Sequence, residues 1–534
     1  MKVEFIGGAR TVTGSCYIIK NESFTIMIDC GMFQGPKPLR ERNYLNLIYA
    51  PDQIDALLLT HAHIDHSGLV PKLVKEGFQG RIFATRATVD LCSVMLPDSA
   101  HIQEMDTEWI NKKNKKEGLD PVEPLYTQPD AEAAVQQFVP VKYDDVVEIV
   151  PGVMARFRDA GHILGSSFIE LWIEEKGQTK KLVFSGDVGS RDQALIRDPE
   201  TLDEADILFI ESTYGDRLHK NRQDTYEEFK NIILESYNNK GNIIIPSFAV
   251  ERTQEIIFVL NKLFKDNAIP KIPVYIDSPL AISATEIFRR NSDCFDEETK
   301  KLLMSGDSPL DFPNLYFTKT TDESKRLNDE AKGAIIISAS GMCTAGRIKF
   351  HLQNNLYKPE SSVIFVGYQA ESTLGRRLVD GEKKVRIYSE DIAVRAKIHT
   401  LGGFSAHADR DGLLNWMSTV KNDALKVFVV HGEEEVSVRF AKTIKENLGY
   451  NAHVPLWGEI IDLDTMEKTV SSYGTVEKAP AGLDKGLEDL QSSLADLIQK
   501  YKKARGGKSI YDQEKLENNI NDIKEMIRSL SEDI

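Results

Sequence analysis

The sequence predicts an α/β protein built from layers of sheet and helix. Short runs of β-branched and other apolar residues recur along the chain, among them 56–59, 207–210 and 426–430. Many of these runs are continuously apolar, as expected for strands that are covered on both faces. Helical patterns such as 225–237 and 252–264 separate the later runs. This alternation of strand and helix is typical of layered α/β folds.

Length and composition narrow the class of protein. A chain of 534 residues exceeds one ordinary hydrophobic core and suggests two or three domains. Its 41% hydrophobic and 28% charged residues are usual for a soluble globular protein. The net charge of −16 counts against a nucleic-acid partner. It does not exclude one, because bound divalent metals or a local basic patch can supply a positive field inside an acidic protein.

Cysteine usage and hydropathy predict a cytoplasmic protein. Five cysteines lie far apart without a CxxC pair, which argues against a disulfide framework and fits a reducing compartment. The start, MKVEFIGGARTVTG, reads as a strand and a glycine-rich turn, and Glu4 interrupts any signal-like apolar core. No stretch approaches the roughly 18 apolar residues that a membrane span needs. We therefore expect no membrane partner.

Polar segments collect where the predicted strands end. THAHIDH follows the run at 56–59, SGDVG follows 181–184, ESTYGDR follows 207–210 and HGEEE follows 426–430. Active sites of layered sheets form at such strand ends. These segments are therefore the candidates for chemistry.

The densest of these segments predicts a metal site. His61, His63, Asp65 and His66 fall within six positions of a chain that has only 11 histidines. Imidazole and carboxylate are ligands for zinc, manganese and iron. His61 and His63 lie two apart, so in extended chain both rings point the same way, and the chain then turns towards a helix at 69–74. One metal cannot comfortably take all four groups, which suggests two sites that share a loop.

Further ligands are available elsewhere in the chain. His162 lies on a glycine-flanked turn in RDAGHILGSS, and His431 follows an apolar run in VFVVHGEEE. Asp187 in VFSGDVGS lies at a strand end, where one carboxylate could bridge two cations. Each of these residues alone could be an ordinary loop residue. Together with the cluster they predict a centre for two metal ions.

These motifs resemble a known superfamily. THAHIDHSG resembles the HxHxDH signature of the metallo-β-lactamase fold, and Asp29 in MIDCG, His162 and Asp187 match its other motifs. From residue 1 to about 465 the chain resembles the β-CASP branch, the RNA-processing nucleases of that superfamily. The motifs that carry this second resemblance follow the family's order: ESTYGDR, PSFAVERTQE, IDSPLA, SASGMCTAGR, GYQAESTLGRRL, GFSAHAD and FVVHGE. The chain looks most like bacterial relatives of the eukaryotic pre-mRNA 3′-end cleavage endonuclease.

The resemblance implies an αββα metallo-β-lactamase sandwich with an inserted α/β β-CASP domain. We expect residues 1–214 and 397–474 to form the sandwich and 215–396 to form the insertion, because the metal motifs lie on both sides of that stretch and none lies within it. Residues 475–534 fall outside the resemblance. Their apolar residues trace two helical faces, which predicts a C-terminal helical hairpin packed on the body or on a second subunit. A homodimer is thus one expected assembly.

The resemblance also implies a ligand set for two zinc ions, with manganese as the alternative. The first metal would be held by His61, His63 and His162, the second by Asp65, His66 and His431, and Asp187 would bridge them. Such paired metals activate a bridging hydroxide and neutralise the phosphate during in-line attack. Asp65 is expected to be a catalytic residue as well as a ligand. Asp29 would orient a ligand by hydrogen bonding.

Glu211 and His407 have no metal role in the family. They are expected to pair, so that His407 stays protonated and gives a proton to the leaving oxygen; the alternative is a buried salt bridge without a catalytic part. Four residues of the inserted stretch are expected at the scissile phosphate and the flanking backbone: Ser338, Ser340, Gln369 and Arg376. For the serines, the alternative is helix capping.

Two positions depart from the family pattern. The family favours glycine where Glu251 stands in FAVERTQE and where Ser372 stands in AESTLGR. Added bulk and a carboxylate near the insertion are expected to narrow the site or to weaken substrate binding. The two departures are expected to affect the strength of substrate binding more than the chemistry of cleavage.

The predicted function is a metal-dependent ribonuclease that hydrolyses single-stranded RNA, acting internally and with 5′ exonuclease activity as a further mode. A small-molecule ester, thioester or lactone hydrolase is a competing hypothesis, but such enzymes lack the inserted block. A non-catalytic RNA-processing scaffold is a second, but every ligand is present. A DNA-directed nuclease is a third, but those relatives tend to replace the last histidine, whereas His431 is retained.

Overall fold

The computed structural model describes residues 1–45, 50–175, 177–370 and 372–471. The predicted helical hairpin at 475–534 lies outside these residues. Within them the α/β class predicted from the sequence is confirmed. No helix in the described ranges is both long and apolar enough to cross a bilayer.

The first part of the chain supplies strands for two sheets and the helices that cover one of them. The strands are β1 (Lys2–Gly7), β2 (Cys16–Lys20), β3 (Thr25–Ile28), β4 (Ala56–Leu58), β5 (Arg81–Thr85), β6 (Phe138–Val141), β7 (Val146–Val150), β8 (Val153–Asp159), β9 (Ser167–Glu175), β10 (Gln178–Phe184) and β11 (Ile207–Glu211). The helices are α1 (Lys37–Glu41), α2 (Ile64–Ser67), α3 (Val70–Lys75), α4 (Arg86–Glu117) and α5 (Gln128–Val135).

The middle part alternates helices and short strands. Its helices are α6 (Arg222–Asn238), α7 (Arg252–Lys265), α8 (Pro279–Arg290), α9 (Glu297–Met304), α10 (Thr321–Glu330), α11 (Ile348–Asn355) and α12 (Leu374–Val379). Its strands are β12 (Ile243–Pro246), β13 (Val274–Ile276), β14 (Leu315–Phe317), β15 (Ile335–Ser338), β16 (Ser362–Phe365), β17 (Lys384–Ile387), β18 (Glu390–Ala393) and β19 (Lys397–Thr400).

The last described part returns to the two sheets of the first part. Its helices are α13 (Arg410–Met417) and α14 (Glu434–Leu448), and its strands are β20 (Lys426–Val430), β21 (Ala452–His453), β22 (Glu459–Asp462) and β23 (Lys468–Val470).

Two mixed sheets pack face to face. One has the strand order β23-β22-β1-β2-β3-β4-β5-β6, and the other has the order β21-β20-β11-β10-β9-β8-β7. Aromatic rings fill the space between them: Phe209 stacks on Phe184 with centroids 4.1 Å apart and on Phe428 at 5.0 Å. Phe5 of the opposite sheet approaches Phe428 at 5.6 Å. Inward-facing side chains of both sheets therefore share one core.

Helices cover the two outer faces of this sandwich. On the eight-stranded sheet, Leu57 of β4 packs in one cluster with Leu73 of α3 and Leu91 of α4. On the seven-stranded sheet, Leu208 of β11 shares a cluster with Phe440 of α14. The layer order is αββα, as predicted.

Residues 222–400 build a separate parallel sheet with the order β14-β13-β15-β12-β16-β19. The run IIIP of β12 is buried on both faces, because α6, α7 and α8 cover one side and α10, α11 and α12 cover the other. This stretch leaves the seven-stranded sheet after β11 and returns at β20, and these two strands are neighbours there, with Glu211 opposite Val430. The inserted stretch therefore starts and ends at the edge of the seven-stranded sheet where the polar strand-end residues lie.

Candidate active site

The candidate residues come from the ends of several strands. His61 lies three residues after the end of β4, Asp187 three residues after β10, and His431 directly after β20. Glu211 is the last residue of β11, and His162 lies in the loop between β8 and β9. Neighbouring strands place their ends at a common edge, so residues far apart in sequence meet in one cluster.

Asp187 lies at the centre of this cluster. Its Oδ2 atom is 3.4 Å from Nε2 of His61 and 3.5 Å from Nε2 of His162. Its Oδ1 atom is 3.3 Å from Nε2 of His66 and 3.4 Å from Nε2 of His431. The two carboxylate oxygens therefore face two different pairs of histidines, which is the arrangement of a bridging ligand.

The donor atoms fall into three groups with the spacing of metal ligands, each with ligand atoms within 4.8 Å of one another. The first group is His61, His63, His162 and Asp187, the second is Asp65, His66 and His431, and the third is Asp187 with Glu211 and His407. Nδ1 of His63 lies 3.2 Å from Nε2 of His61 and 3.3 Å from Nε2 of His162. Nitrogens about 2.1 Å from a tetrahedral ion lie roughly 3.3–3.4 Å apart. The first group therefore fits one ion.

The surroundings of Asp187 and of three histidines set protonation states that suit metal binding. Burial lowers the pKa of His63 and of His162, and it lowers the pKa of His431 to about 3. Burial opposes ionisation of Asp187, but the histidines around it, led by His431, outweigh this and hold the pKa of Asp187 well below its usual range. Neutral imidazoles and an ionised carboxylate are the forms that ligate a metal.

Asp29 holds the ring of His66. Its Oδ2 atom is 2.7 Å from Nδ1 of His66, and its Oδ1 atom accepts a hydrogen bond from the backbone N–H of Thr60 at 2.8 Å. Nε2 of His66 is buried without a hydrogen-bond partner among the described residues and faces Asp187. Burial opposes the charge on His66, but Asp187 and Asp29 raise its pKa well above the usual value, so metal binding there would release a proton.

Two hydroxyl groups that the sequence did not single out also contact the ligand rings. Oγ1 of Thr60 lies 3.1 Å from Nδ1 of His61, and Oγ of Ser15 lies 2.7 Å from Nδ1 of His431. Thr60 could have been noticed because it directly precedes His61. No spacing or motif signal points to Ser15, whose position becomes informative only in three dimensions.

Glu211 and His407 pair beside the cluster. Oε1 of Glu211 is 3.2 Å from Nδ1 of His407 and accepts a hydrogen bond from the backbone N–H of Val188 at 2.8 Å. Glu211 is fully buried, whereas the side chain of His407 is 21% exposed. Burial opposes a charged His407, but the carboxylates of Glu211 and Asp187 outweigh this and raise its pKa to about 9. A protonated, partly exposed imidazole can give a proton to a bound molecule.

The loop that carries His407 is fastened to the loop after Asp187. His407 forms an isolated bridge with Gly189, and the N–H of Ala408 donates to the carbonyl of Val188 at 2.7 Å. A Cβ atom at position 189 would lie 1.7 Å from the carbonyl oxygen of Gly161, so only glycine lets these loops approach so closely. The His162, Asp187 and His407 loops are therefore packed as one unit.

The four predicted phosphate contacts make bonds within the middle part of the chain. Ser338 is buried and donates to the carbonyl of Asp277 at 2.7 Å, and Gln369 donates to the carbonyl of Gly341 at 3.1 Å. The hydroxyl of Ser340 accepts from the N–H of Thr344 at 3.1 Å, and Arg376 pairs with Asp380 at 2.7 Å. The hydroxyl of Ser338 is therefore already used inside the fold. Ser340 and Arg376 are more accessible.

The backbone explains why glycine would suit the two positions that depart from the family pattern. Glu251 has φ +68° and Ser372 has φ +63°, a region that glycine adopts without strain. The side chain of Glu251 is buried, and its Oε2 atom accepts a hydrogen bond from the backbone N–H of Leu164 at 3.0 Å. The carboxylate is thus bonded within the protein, and its effect on substrate binding stays a prediction.

Family profiles match three parts of the chain. They are described as the metallo-beta-lactamase superfamily at residues 9–82, the Beta-Casp domain at 253–378 and the Zn-dependent metallo-hydrolase RNA specificity domain at 391–455. The last description and the first two donor groups together fit two zinc ions.

Curated relatives match most of the chain. Ribonuclease TTHA0252 from Thermus thermophilus is 36% identical over 83% of this chain and 96% of its own length. Transcription termination factor FttA from Methanocaldococcus jannaschii is 30% identical over 85% of this chain and 70% of its own. An RNase J-like protein from the same archaeon is 29% identical over 86% and 99%.

Proposed function

The chain belongs to the β-CASP family of metallo-β-lactamase-fold hydrolases, and on this basis we propose that it is a zinc-dependent ribonuclease. The observation that carries the proposal is the position of Asp187 between two pairs of histidines, with the Glu211–His407 pair beside it. The names of the relatives support RNA as the substrate. We further propose single-stranded RNA and internal cleavage.

We assign the ligands as two sets that share Asp187. The first set is His61, His63 and His162, and the second is Asp65, His66 and His431. Two bound zinc ions supply Lewis-acid activation of a water nucleophile and neutralise phosphate charge. The chain's own part is to bring these donors together and to keep Asp187 ionised among the histidines. Asp29 fixes the His66 ring so that Nε2 points at the centre.

His407 is the proposed general acid. Its ring is charged because the Glu211 carboxylate lies 3.2 Å away, and it is exposed enough to meet a leaving oxygen. Glu211 keeps this proton on His407 and, through the N–H of Val188, keeps the loop after Asp187 in place. The acid is therefore held by the same packing that holds the bridging carboxylate.

The strand pairing supports a division of the chain into domains. We propose residues 1–214 and 397–474 as the metallo-β-lactamase domain, 215–396 as the inserted β-CASP domain and 475–534 as a helical extension. The inserted stretch leaves and returns beside Glu211 and His431, so it is placed to help hold RNA. The proposed phosphate contacts there are Ser338, Ser340, Gln369 and Arg376. Ser338 and Gln369 also donate to backbone carbonyls within the fold.

We further propose a cytoplasmic location and a homodimeric assembly. The five cysteines are unpaired and buried, which supports a reducing, cytoplasmic setting. A homodimer through residues 475–534 is proposed, and sedimentation equilibrium of the full chain against a chain ending at residue 471 tests it. Equal numbers of chains per particle would exclude that segment as the dimer contact.

The decisive experiment combines metal analysis with two matched substrates. Purified protein is assayed for zinc and manganese and then incubated with end-labelled single-stranded RNA and DNA of equal sequence. We expect two zinc ions per chain, cleavage of RNA and internal fragments at early times. Intact RNA in the presence of two bound ions would overturn the proposal, and turnover of a thioester instead would favour a small-molecule hydrolase.

A further inference from the structure

Glu251 adopts an unusual backbone conformation at the start of α7. It has φ +68° and ψ −63°, and the N–H of Arg252 bonds to the carbonyl of Val250 at 2.9 Å. These values describe a γ-turn of the rare, strained hand. Glycine would adopt it more easily, so a side chain here carries a structural cost.

The carboxylate of Glu251 is not used to cap its own helix, since its side chain makes no capping bond to α7. It is buried, and burial together with the Glu255 carboxylate raises the pKa of Glu251 to about 8. Its Oε2 atom accepts the hydrogen bond from the N–H of Leu164. Either protonation state retains an oxygen that can accept this bond. The Glu251 side chain thus joins α7 to the loop between β8 and β9 of the seven-stranded sheet.

That loop carries His162, two residues before Leu164. On its other side the loop is held by its own part of the chain: the N–H of His162 donates to Oγ of Ser166 at 3.0 Å, and Thr85 donates to the carbonyl of Gly165 at 2.6 Å. Glu251 adds a bond from the inserted stretch. The position of His162 is therefore set by contacts with both parts of the protein.

The same end of α7 also reaches the loop of His407. Glu255 pairs with Arg222 at 2.9 Å, and Arg222 donates to the carbonyl of Ser405 at 3.3 Å. Ser405 lies two residues before His407. The start of α7 thus connects to both loops that carry the candidate chemistry, by two independent routes.

We propose that Glu251 is a positioning residue that fastens the His162 loop to α7, so that the inserted domain sets the geometry of the first metal group. The inference rests on the proposed role of His162 as a ligand. Glu251, which stands where the family favours glycine, would then serve metal retention and would not contact the substrate.

Three substitutions separate positioning from simple structural support. Glu251→Gln keeps an acceptor oxygen for Leu164, Glu251→Ala removes the acceptor and keeps the strained turn, and Glu251→Gly removes the acceptor and relieves the strain. Glu286→Ala, at an exposed carboxylate on α8, is the matched control. The zinc retained during dialysis against a chelator and the absorption spectrum of the cobalt-substituted protein are measured for each variant. Bound zinc itself stabilises the fold, so every thermal midpoint is measured on the metal-free protein.

We expect Glu251→Ala and Glu251→Gly to lose the first zinc on the order of tenfold faster, near the lower end of effects for residues that orient ligands, with an altered cobalt spectrum. Glu251→Gln and Glu286→Ala should stay within about twofold of the unsubstituted protein. Glu251→Gly should keep or raise the thermal midpoint while it loses zinc. Wild-type retention and spectra in the Ala and Gly variants would overturn the proposal, as would a midpoint in Glu251→Gly that falls together with zinc retention.

The readouts also separate this inference from the proposed ribonuclease activity. If the variants lose zinc as expected but the unsubstituted protein leaves RNA intact, the ribonuclease assignment fails and the positioning role stands. If RNA is cleaved and the variants retain zinc normally, the positioning role fails alone. In a cleaving enzyme, we expect kcat to fall in Glu251→Ala with little change in KM, because the tether contacts a metal loop and not the substrate.

Discussion

The hydroxyl oxygen of Ser15 lies 2.7 Å from Nδ1 of His431, although 416 positions separate the two residues in sequence. The backbone N–H of Ser15 also donates to the carbonyl of Asp65 at 2.8 Å. Ser15 therefore contacts two members of the second donor group. It fixes the His431 ring so that Nε2 faces Oδ1 of Asp187.

Ser15→Ala should weaken zinc binding at the second group by about 10–100-fold, because a partner that orients a ligand is lost. The first group should keep its affinity, since within the described part of the chain Ser15 makes no hydrogen bond to any of its four members. Stepwise zinc titration followed by calorimetry measures both affinities, and Ser23→Ala, at an exposed turn, is the control. Two unchanged binding steps would show that Ser15 has no orienting role.

Asp187→Asn should abolish RNA hydrolysis while the fold is retained. The amide keeps the size of the side chain but loses the charge that faces four histidines. We expect fewer than two zinc ions per chain and activity at background. Circular dichroism and zinc analysis accompany the assay, and near wild-type cleavage with two ions bound would contradict the assignment of Asp187 as the bridge.

Phe209→Ala should destabilise the protein by about 3–5 kcal/mol, the usual cost of removing a buried aromatic side chain. Phe209 is fully buried and stacks between Phe184 and Phe428 in the core of the sandwich. Phe350→Ala, at a residue that is 47% exposed, is the matched control and should cost much less. Equal losses in denaturant unfolding would mean that the shared core is not where the structure places it.

Much of the fold and of the donor set could be predicted from the sequence. The run predicted at 426–430 is β20, and the pattern at 252–264 is α7. The candidate ligands His61, Asp187 and His431 could be found because each follows an apolar strand, and strand ends converge. The local path after His63 was less predictable: Asp65 and His66 lie in the separate short helix α2, before the helix expected at 69–74.

The features of the site that could not be predicted from the sequence depend on contacts between distant parts of the chain. Ser15 and Thr60 are ordinary hydroxyl residues whose importance comes from the rings that they touch. The sequence predicts Ser338 at a phosphate and gives no sign that its hydroxyl donates to the carbonyl of Asp277, the residue after β13. The positive φ of Glu251 cannot be read from a carboxylate side chain, although the glycine preference of the family was a clue to it.

His407→Ala should slow RNA cleavage by about 10²–10⁴, the usual contribution of a general acid, while both zinc ions stay bound. The change should be small for a p-nitrophenyl phosphodiester, whose leaving group needs little protonation. Single-turnover rates on both substrates and zinc content are measured together, with His101→Ala at an exposed helix position as the control. Loss of zinc would identify His407 as a ligand, and equal losses on both substrates would exclude the acid role.

Glu211→Gln tests what keeps that acid charged. Burial opposes the charge on His407, but Glu211 leads the carboxylates that raise its pKa to about 9. An acid acts in its protonated form, so the rate holds below this pKa and falls above it. The amide removes the main charge that raises the pKa, while its oxygen can still accept from the N–H of Val188, so the falling limb of the pH–rate profile should move to lower pH. The profile is measured on RNA with zinc content followed at each pH. If the falling limb of the Glu211→Gln profile stays at the same pH while two zinc ions are bound, Glu211 does not control the proton on His407.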